Sequence, residues 1–186
     1  MRVVLLSDTH APRFWKGLPA SVAAHLPDAD LILHAGDVCV PSVLDELAAY
    51  APVRVVLGNN DGPEVAAWGA EETWQSGPDE LDGLRVAMIH DAGAKQGRAA
   101  RMHRRFPEAE LVVFGHSHIP LEASETFADG SSVRIVNPGS PTDKRRQPSG
   151  TLGLLDVAAG RVLDLRIVPL PAPTSRRPSH RPVSLA

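Results

Sequence analysis

With 186 residues, 43% of them hydrophobic but only 4% aromatic, the chain can bury one substantial core, built mainly from Val, Leu, Ile and Ala. The formal charge of −3 argues against a stable nucleic-acid complex or a membrane-surface partner, and the apolar run at residues 3–6 is too short for a signal peptide or a membrane span. One cysteine, Cys39, excludes an internal disulfide framework and leaves a reducing, cytoplasmic compartment as the expectation.

In chain order, apolar runs at residues 3–6, 31–33, 53–57, 84–89 and 111–114 each end in a polar or glycine-containing cluster, which predicts strands. Helix-sized segments at 18–26, 42–50 and 93–106 lie between them, the second introduced by Pro41. Alternating strand and helix implies βαβ units with parallel strands. After Phe114 come a turn at Asp129-Gly130, strands at 133–136, 152–157 and 161–168, and a tight link at Ala158-Ala159-Gly160. These C-terminal runs predict a second, largely antiparallel sheet. The expected fold class is α/β, a four-layer α/β/β/α sandwich of two packed mixed sheets flanked by helices, spanning residues 1–170. Residues 171–186 mix proline, serine and arginine with almost nothing to bury and are expected to form a disordered tail.

Side chains suited to metal ligation follow the predicted strands, one cluster to each. Asp8 and His10 follow the first run, Gly36-Asp37 the second, Gly58-Asn59-Asn60-Asp61 the third, His90 the fourth, and Gly115-His116-Ser117-His118 the fifth. In an open α/β sheet the carboxyl ends of parallel strands share one edge, where ligands bind. Asp8, His10, Asp37, Asn59, His90, His116 and His118 would converge there, too many donors for one tetrahedral ion but enough for two that share a carboxylate. Asp37, in the middle run, is the expected bridge. Imidazole, carboxylate and amide oxygens suit manganese, iron, zinc, cobalt or nickel without choosing among them. Two divalent ions outweigh the Asp8 and Asp37 carboxylates, so the pocket would attract a phosphate although the protein is acidic. Gly36 and Gly115 are expected to let the backbone turn tightly just before a ligand.

In order and spacing, Asp8-x-His10, Gly36-Asp37, Gly58-Asn59-x-Asp61, His90 and Gly115-His116-x-His118 resemble the signature of the calcineurin-like metallophosphoesterases. Together with Asn137-Pro138-Gly139-Ser140 they look like the small YfcE-like phosphodiesterase branch. The resemblance implies that Asp8, His10, Asp37 and His118 hold one metal and Asp37, Asn59, His90 and His116 the other, with manganese the first expectation. It implies phosphoester hydrolysis by in-line attack of a metal-bridging hydroxide, with Asp37, Asn59, Asn60 and His90 at the catalytic positions. Asn60 stands where many members carry a histidine, and an amide cannot donate a full proton. Asp91 stands where the family more often has glycine, and either tightens its loop or adds a hydrogen bond behind the site. Asp61 and His34 are placed to orient ligands.

Elsewhere, His25, His103 and His180 read as structural or surface residues, Lys144-Arg145-Arg146 as a solvated loop, and Arg98, Arg101, Arg104 and Arg105 as a wet helix face. The small phosphoester substrate is expected to be a diester, because no arginine within the motifs supplies the clamp a monoester wants. The alternatives are a phosphomonoesterase or nucleotidase with the same site, and a non-catalytic scaffold like the retromer subunit of this fold. A homo-oligomer is compatible with the sequence.

Overall fold

A computed structural model describes residues 1–171; the tail expected from residue 171 onward lies, past Pro171, outside the described residues. The elements in chain order are β1 (Arg2–Leu6), α1 (Ala20–Ala23), β2 (Leu31–His34), α2 (Ser42–Ala48), β3 (Val53–Val55), α3 (Pro63–Trp68), β4 (Thr73–Gln75), β5 (Val86–Ile89), α4 (Arg98–Arg105), β6 (Leu111–Phe114), β7 (Leu121–Thr126), β8 (Ser132–Asn137), β9 (Thr151–Ala158) and β10 (Arg161–Pro169). They form two five-stranded sheets, ordered β10-β9-β1-β2-β3 and β4-β5-β6-β8-β7. No described helix is long and apolar enough to cross a membrane.

Successive side chains on a strand face opposite sides, and the apolar residues here divide by that rule. Val3 and Leu5 of β1 enter a core between the sheets with Leu33 of β2, Met88 of β5 and Val113 of β6. Val4, Leu6 and Ile32 face the other way and pack against Val22 of α1, Leu44 and Leu47 of α2 and Val65 of α3. On the far side of the second sheet, Ala87, Ile89, Val112 and Phe114 meet Ala99 and Met102 of α4. Three cores therefore separate four layers, and the α/β/β/α sandwich of two mixed sheets is what the sequence predicts.

The C-terminal runs, however, do not make a sheet of their own. β9 pairs antiparallel with β1 and β10 with β9, extending the first sheet, while β7 and β8 join the second, where β8 runs parallel to β6. Burial explains the split. β1 has both faces covered, so at a sheet edge it would leave unpaired backbone groups in the core, and β9, whose first five residues are all buried, covers that edge.

The helices are shorter than the segments predicted for them. Gly93 and Gly97 take positive φ, +73° and +63°, so residues 93–97 form a loop and α4 begins only at Arg98. Neither α3 nor β4 has a counterpart among the predicted elements, although Pro63 in its first turn and left-handed Gly69 at its end give α3 both termini.

Candidate metal centre

The seven candidate ligands come from two sheets. Asp8 and His10 follow β1, Asp37 follows β2 and Asn59 follows β3, all on the first sheet; His90 follows β5, and His116 and His118 follow β6, on the second. The carboxyl ends of both parallel sets lie at the same end of the sandwich, so the ligands meet across the gap between sheets.

A continuous string of short contacts joins all seven. His118 Nε2 lies 3.3 Å from Asp8 Oδ1 and 3.1 Å from His10 Nε2; His10 Nε2 lies 3.6 Å from Asp37 Oδ2; Asp37 Oδ2 lies 3.4 Å from His90 Nε2. His90 Nε2 is 3.2 Å from Asn59 Oδ1, which is 2.9 Å from His116 Nδ1. Asp37 stands at the middle, where the sequence places a bridge. Asp8 reaches from the His118 end to the middle: its carboxylate forms one compact set with His10 and His118 and another with Asp37 and His90, each with donor atoms within 4.8 Å of one another.

The hydrogen bonds at the back of the rings show what the front faces need. His90 Nδ1 lies 2.7 Å from the Ala35 carbonyl and His118 Nδ1 2.6 Å from that of Asp143, contacts that only an N–H can make. In the neutral rings the lone pairs are then at Nε2, aimed at carboxylate and amide oxygens that are also acceptors. Buried Asp8 Oδ1 has no hydrogen-bond partner among the described residues. Acceptors crowded against acceptors call for a cation between them, and the donor set fits divalent transition metals.

The electrostatics agree. Burial would raise the Asp37 carboxyl, but the His90 ring and two N–H donors from Asn60 hold it well below the usual carboxylate range. Burial would lower His90 and His118, yet Asp37 and Asp8 respectively push them above the ordinary histidine value. For His10 burial wins, and its value falls. A proton on His90 or His118 thus occupies a position that attracts any cation.

Backbone strain is concentrated at the same residues. Asp8, His10, Asp37, His116 and His118 all have positive φ, between 48° and 67°, a region that costs a non-glycine residue of order 1–3 kcal/mol and persists only where surroundings impose it. Gly36, at φ +86°, makes the tight turn expected before Asp37. Gly115 is needed for another reason: a Cβ there would lie 1.9 Å from Ser7 Oγ and 2.9 Å from Asp8 Oδ2.

Neighbouring side chains hold the ligand loops. Asp61 accepts from the N–H groups of Asp37, Cys39 and Gly58, at 2.9, 2.6 and 2.7 Å. His34 Nε2 lies 3.2 Å from Thr9 Oγ1, between Asp8 and His10. Asp91 accepts from Gly93 N–H at 2.7 Å, so of its two expected roles it tightens the loop. The Asn137-to-Ser140 turn is more than a turn: Asn137 donates to the Gly115 carbonyl and Ser140 to that of Asp8, both at 2.7 Å, tying together loops from the two sheets.

Other residues depart from their sequence reading. Arg98 and Arg101 do not form a wet face; they donate to the carbonyls of Gly93, and of Ala92 and Ala94, and so fix the loop after His90. Arg104 and Arg105 are exposed, as a wet face requires, and Arg105 also lines a cleft of about 510 Å³ with Asn59, His90 and His116. Ser7, which donates to Asp8 Oδ2, and Asp143, whose carbonyl sets the His118 ring, have no signal in spacing or composition. His103 stacks on Phe127 and bonds Ser131, a structural role as expected; His180 lies outside the described residues.

Residues 1–160 match the calcineurin-like phosphoesterase superfamily domain, and the chain belongs to that superfamily of metal-dependent phosphoesterases. It is 33% identical, over 184 residues, to a Methanothermobacter thermautotrophicus protein described as "Probable metallophosphoesterase", the match covering 97% of this chain and 99% of that one. Among solved structures it is similar to a Thermotoga maritima protein (TM-score 0.66, 26% identity, 91% and 99% of the two chains). It also shares the fold of Entamoeba histolytica Vps29 complexed with zinc (TM-score 0.67, 20% identity, 91% and 99%).

Proposed function

We propose that this chain hydrolyses a small phosphodiester at a centre of two divalent metal ions, manganese first among the candidates. The observation that carries the reading is the string of ligand-type atoms running from His118 through Asp37 to His116, with the lone pairs of His90 and His118 turned toward carboxylates and unpartnered Asp8 Oδ1 inside it. Asp8, His10, Asp37 and His118 would hold one ion and Asp37, Asn59, His90 and His116 the other, with Asp8 close enough to serve either. Such ions supply an activated water near neutral pH and positive charge against phosphoryl oxygens.

The chain's own residues position and hold. The Ala35 and Asp143 carbonyls fix two imidazoles in the ligating tautomer, and Asn60 orients Asp37 through its backbone N–H (2.9 Å) and its amide (2.8 Å). Outside the centre, the cleft that holds Arg105 also holds Asp61, Glu72 and Asp91. It has no surplus of positive charge for the dianion of a monoester, which supports the less charged diester.

Metal analysis and paired turnover test this. Wild type should carry two ions per chain and Asp37→Ala none, because losing the bridge empties both sites. Bis(p-nitrophenyl) phosphate should turn over about tenfold or more faster than p-nitrophenyl phosphate. A chain that takes up no manganese, nickel or zinc would instead fit the non-catalytic scaffold, and a faster monoester would replace the diesterase with a monoesterase.

A further inference from the structure

A second cavity, of about 490 Å³, is lined by residues that neighbour the His10 end of the candidate centre, Phe14 and Thr142 among them. Phe14 lines it; this ring is 38% exposed, an unusual state for so large an apolar group, and stands edge-on to His10 at 6.4 Å between centroids. Thr142 lines it as well, and its hydroxyl donates to the Thr9 carbonyl between two ligands, at 2.8 Å. Pro19, Pro141 and Leu170 make the walls largely apolar. Among the described residues, the only charged side chains lining it are Lys16 and Lys144, the latter adjacent to Asp143, whose carbonyl holds the His118 ring. The cleft on the Asn59 and His116 side has the opposite character, with three acids to one arginine.

A phosphodiester held at the centre would have the acidic cleft on the Asn59 and His116 side and the lysine-lined cavity beyond Phe14 as the two spaces open to its esterified groups. An anionic group is repelled by the acidic cleft and attracted by the lysines; an aromatic body finds Phe14 and the prolines. We infer that the Lys16 and Lys144 cavity is a binding subsite for one esterified group of the substrate, a planar apolar body bearing an anionic group. Its place in a substrate rests on the diesterase reading, whereas its selectivity for aromatic anions does not.

The test therefore begins with the full-length protein stripped of metal, titrated calorimetrically with naphthalene sulfonate and with neutral naphthalene methanol. Wild type should bind the sulfonate about tenfold more tightly than the alcohol, and the Lys16→Ala, Lys144→Ala double variant should lose that preference. Phe14→Ala should weaken both ligands. Both lysines are exposed, so the double variant should melt as wild type does. Sulfonate binding that is undiminished in the double variant, or absent in wild type, overturns the inference. With manganese present, the ratio of kcat/KM between carboxylated and plain aryl diesters should fall about tenfold in the double variant. Intact, lysine-dependent sulfonate binding without turnover of either diester would remove the diesterase reading and leave the subsite standing.

Discussion

Asn60 illustrates how one residue sets the limits of the site. Its backbone N–H and one N–H of its amide are spent on Asp37, and an amide has no proton to give a departing alkoxide. General acid help of about a hundredfold or more is then missing, and the rate should depend steeply on leaving-group pKa. An aryl diester series at saturating manganese measures this; a flat plot would mean that another group protonates the leaving oxygen. Asp61 is also legible as a residue but not in its detail. Gly58-Asn59-x-Asp61 marks it, while its three N–H partners in two loops appear only in the fold. Asp61→Ala should weaken metal binding about 10–100-fold, read by competition with a chromogenic chelator, with all seven donors still in place. His34 gives a stability prediction. Burial pushes its value down from 6.5 to about 4. Below pH 6.5 the unfolded chain takes up a proton that the native ring refuses until about pH 4, so the stability present above pH 6.5 is lost as pH falls across that window, about 3 kcal/mol in all. Urea unfolding of metal-free wild type should show this slope, and His34→Gln a shallower one. Parallel slopes would mean that His34 is not the group responsible.

At the scale of elements, legibility follows burial. The strands β1, β2, β5 and β6 are buried along nearly their whole length, so their apolar runs stand out and the ligand cluster after each can be found. β4 and β7 are edge strands with mixed exposure, and their sequences carry no comparable contrast. The register of the loops against one another is also hidden, because it depends on contacts between residues far apart in the chain. Gly115 shows the consequence: nothing in its neighbourhood of sequence reveals that Ser7 fills the space where a Cβ would go. Gly115→Ala must push the loop after β6 away from that after β1. The expected result is a loss of about 1–3 kcal/mol in urea unfolding together with weakened metal uptake. Wild-type values for both would show that the loops have slack that the close approach denies.

For the whole molecule, the decisive fact is that the seven candidate ligands straddle the two sheets. The sequence shows the ligand clusters and the layers, but not that four ligands ride on one sheet and three on the other, because the C-terminal strands are shared between the sheets in a way that no local pattern records. Metal ions would then link the sheets, and their affinity should respond to how well the sheets pack on each other more than to the stability of the fold as such. Met88 and Leu47 separate these quantities. Both are completely buried, Met88 in the core between the sheets and Leu47 in the core between the first sheet and its helices. Met88→Ala and Leu47→Ala should each cost about 2–5 kcal/mol of stability by leaving a cavity. Only Met88→Ala lets the sheets shift relative to one another, and donors spaced at about 3 to 4 Å tolerate little shift. Manganese affinity, measured at a temperature where both variants are fully folded, should therefore fall for Met88→Ala and stay near wild type for Leu47→Ala. Equal losses in the two would mean that the centre senses global stability alone and that the interface between the sheets has no special part in forming it.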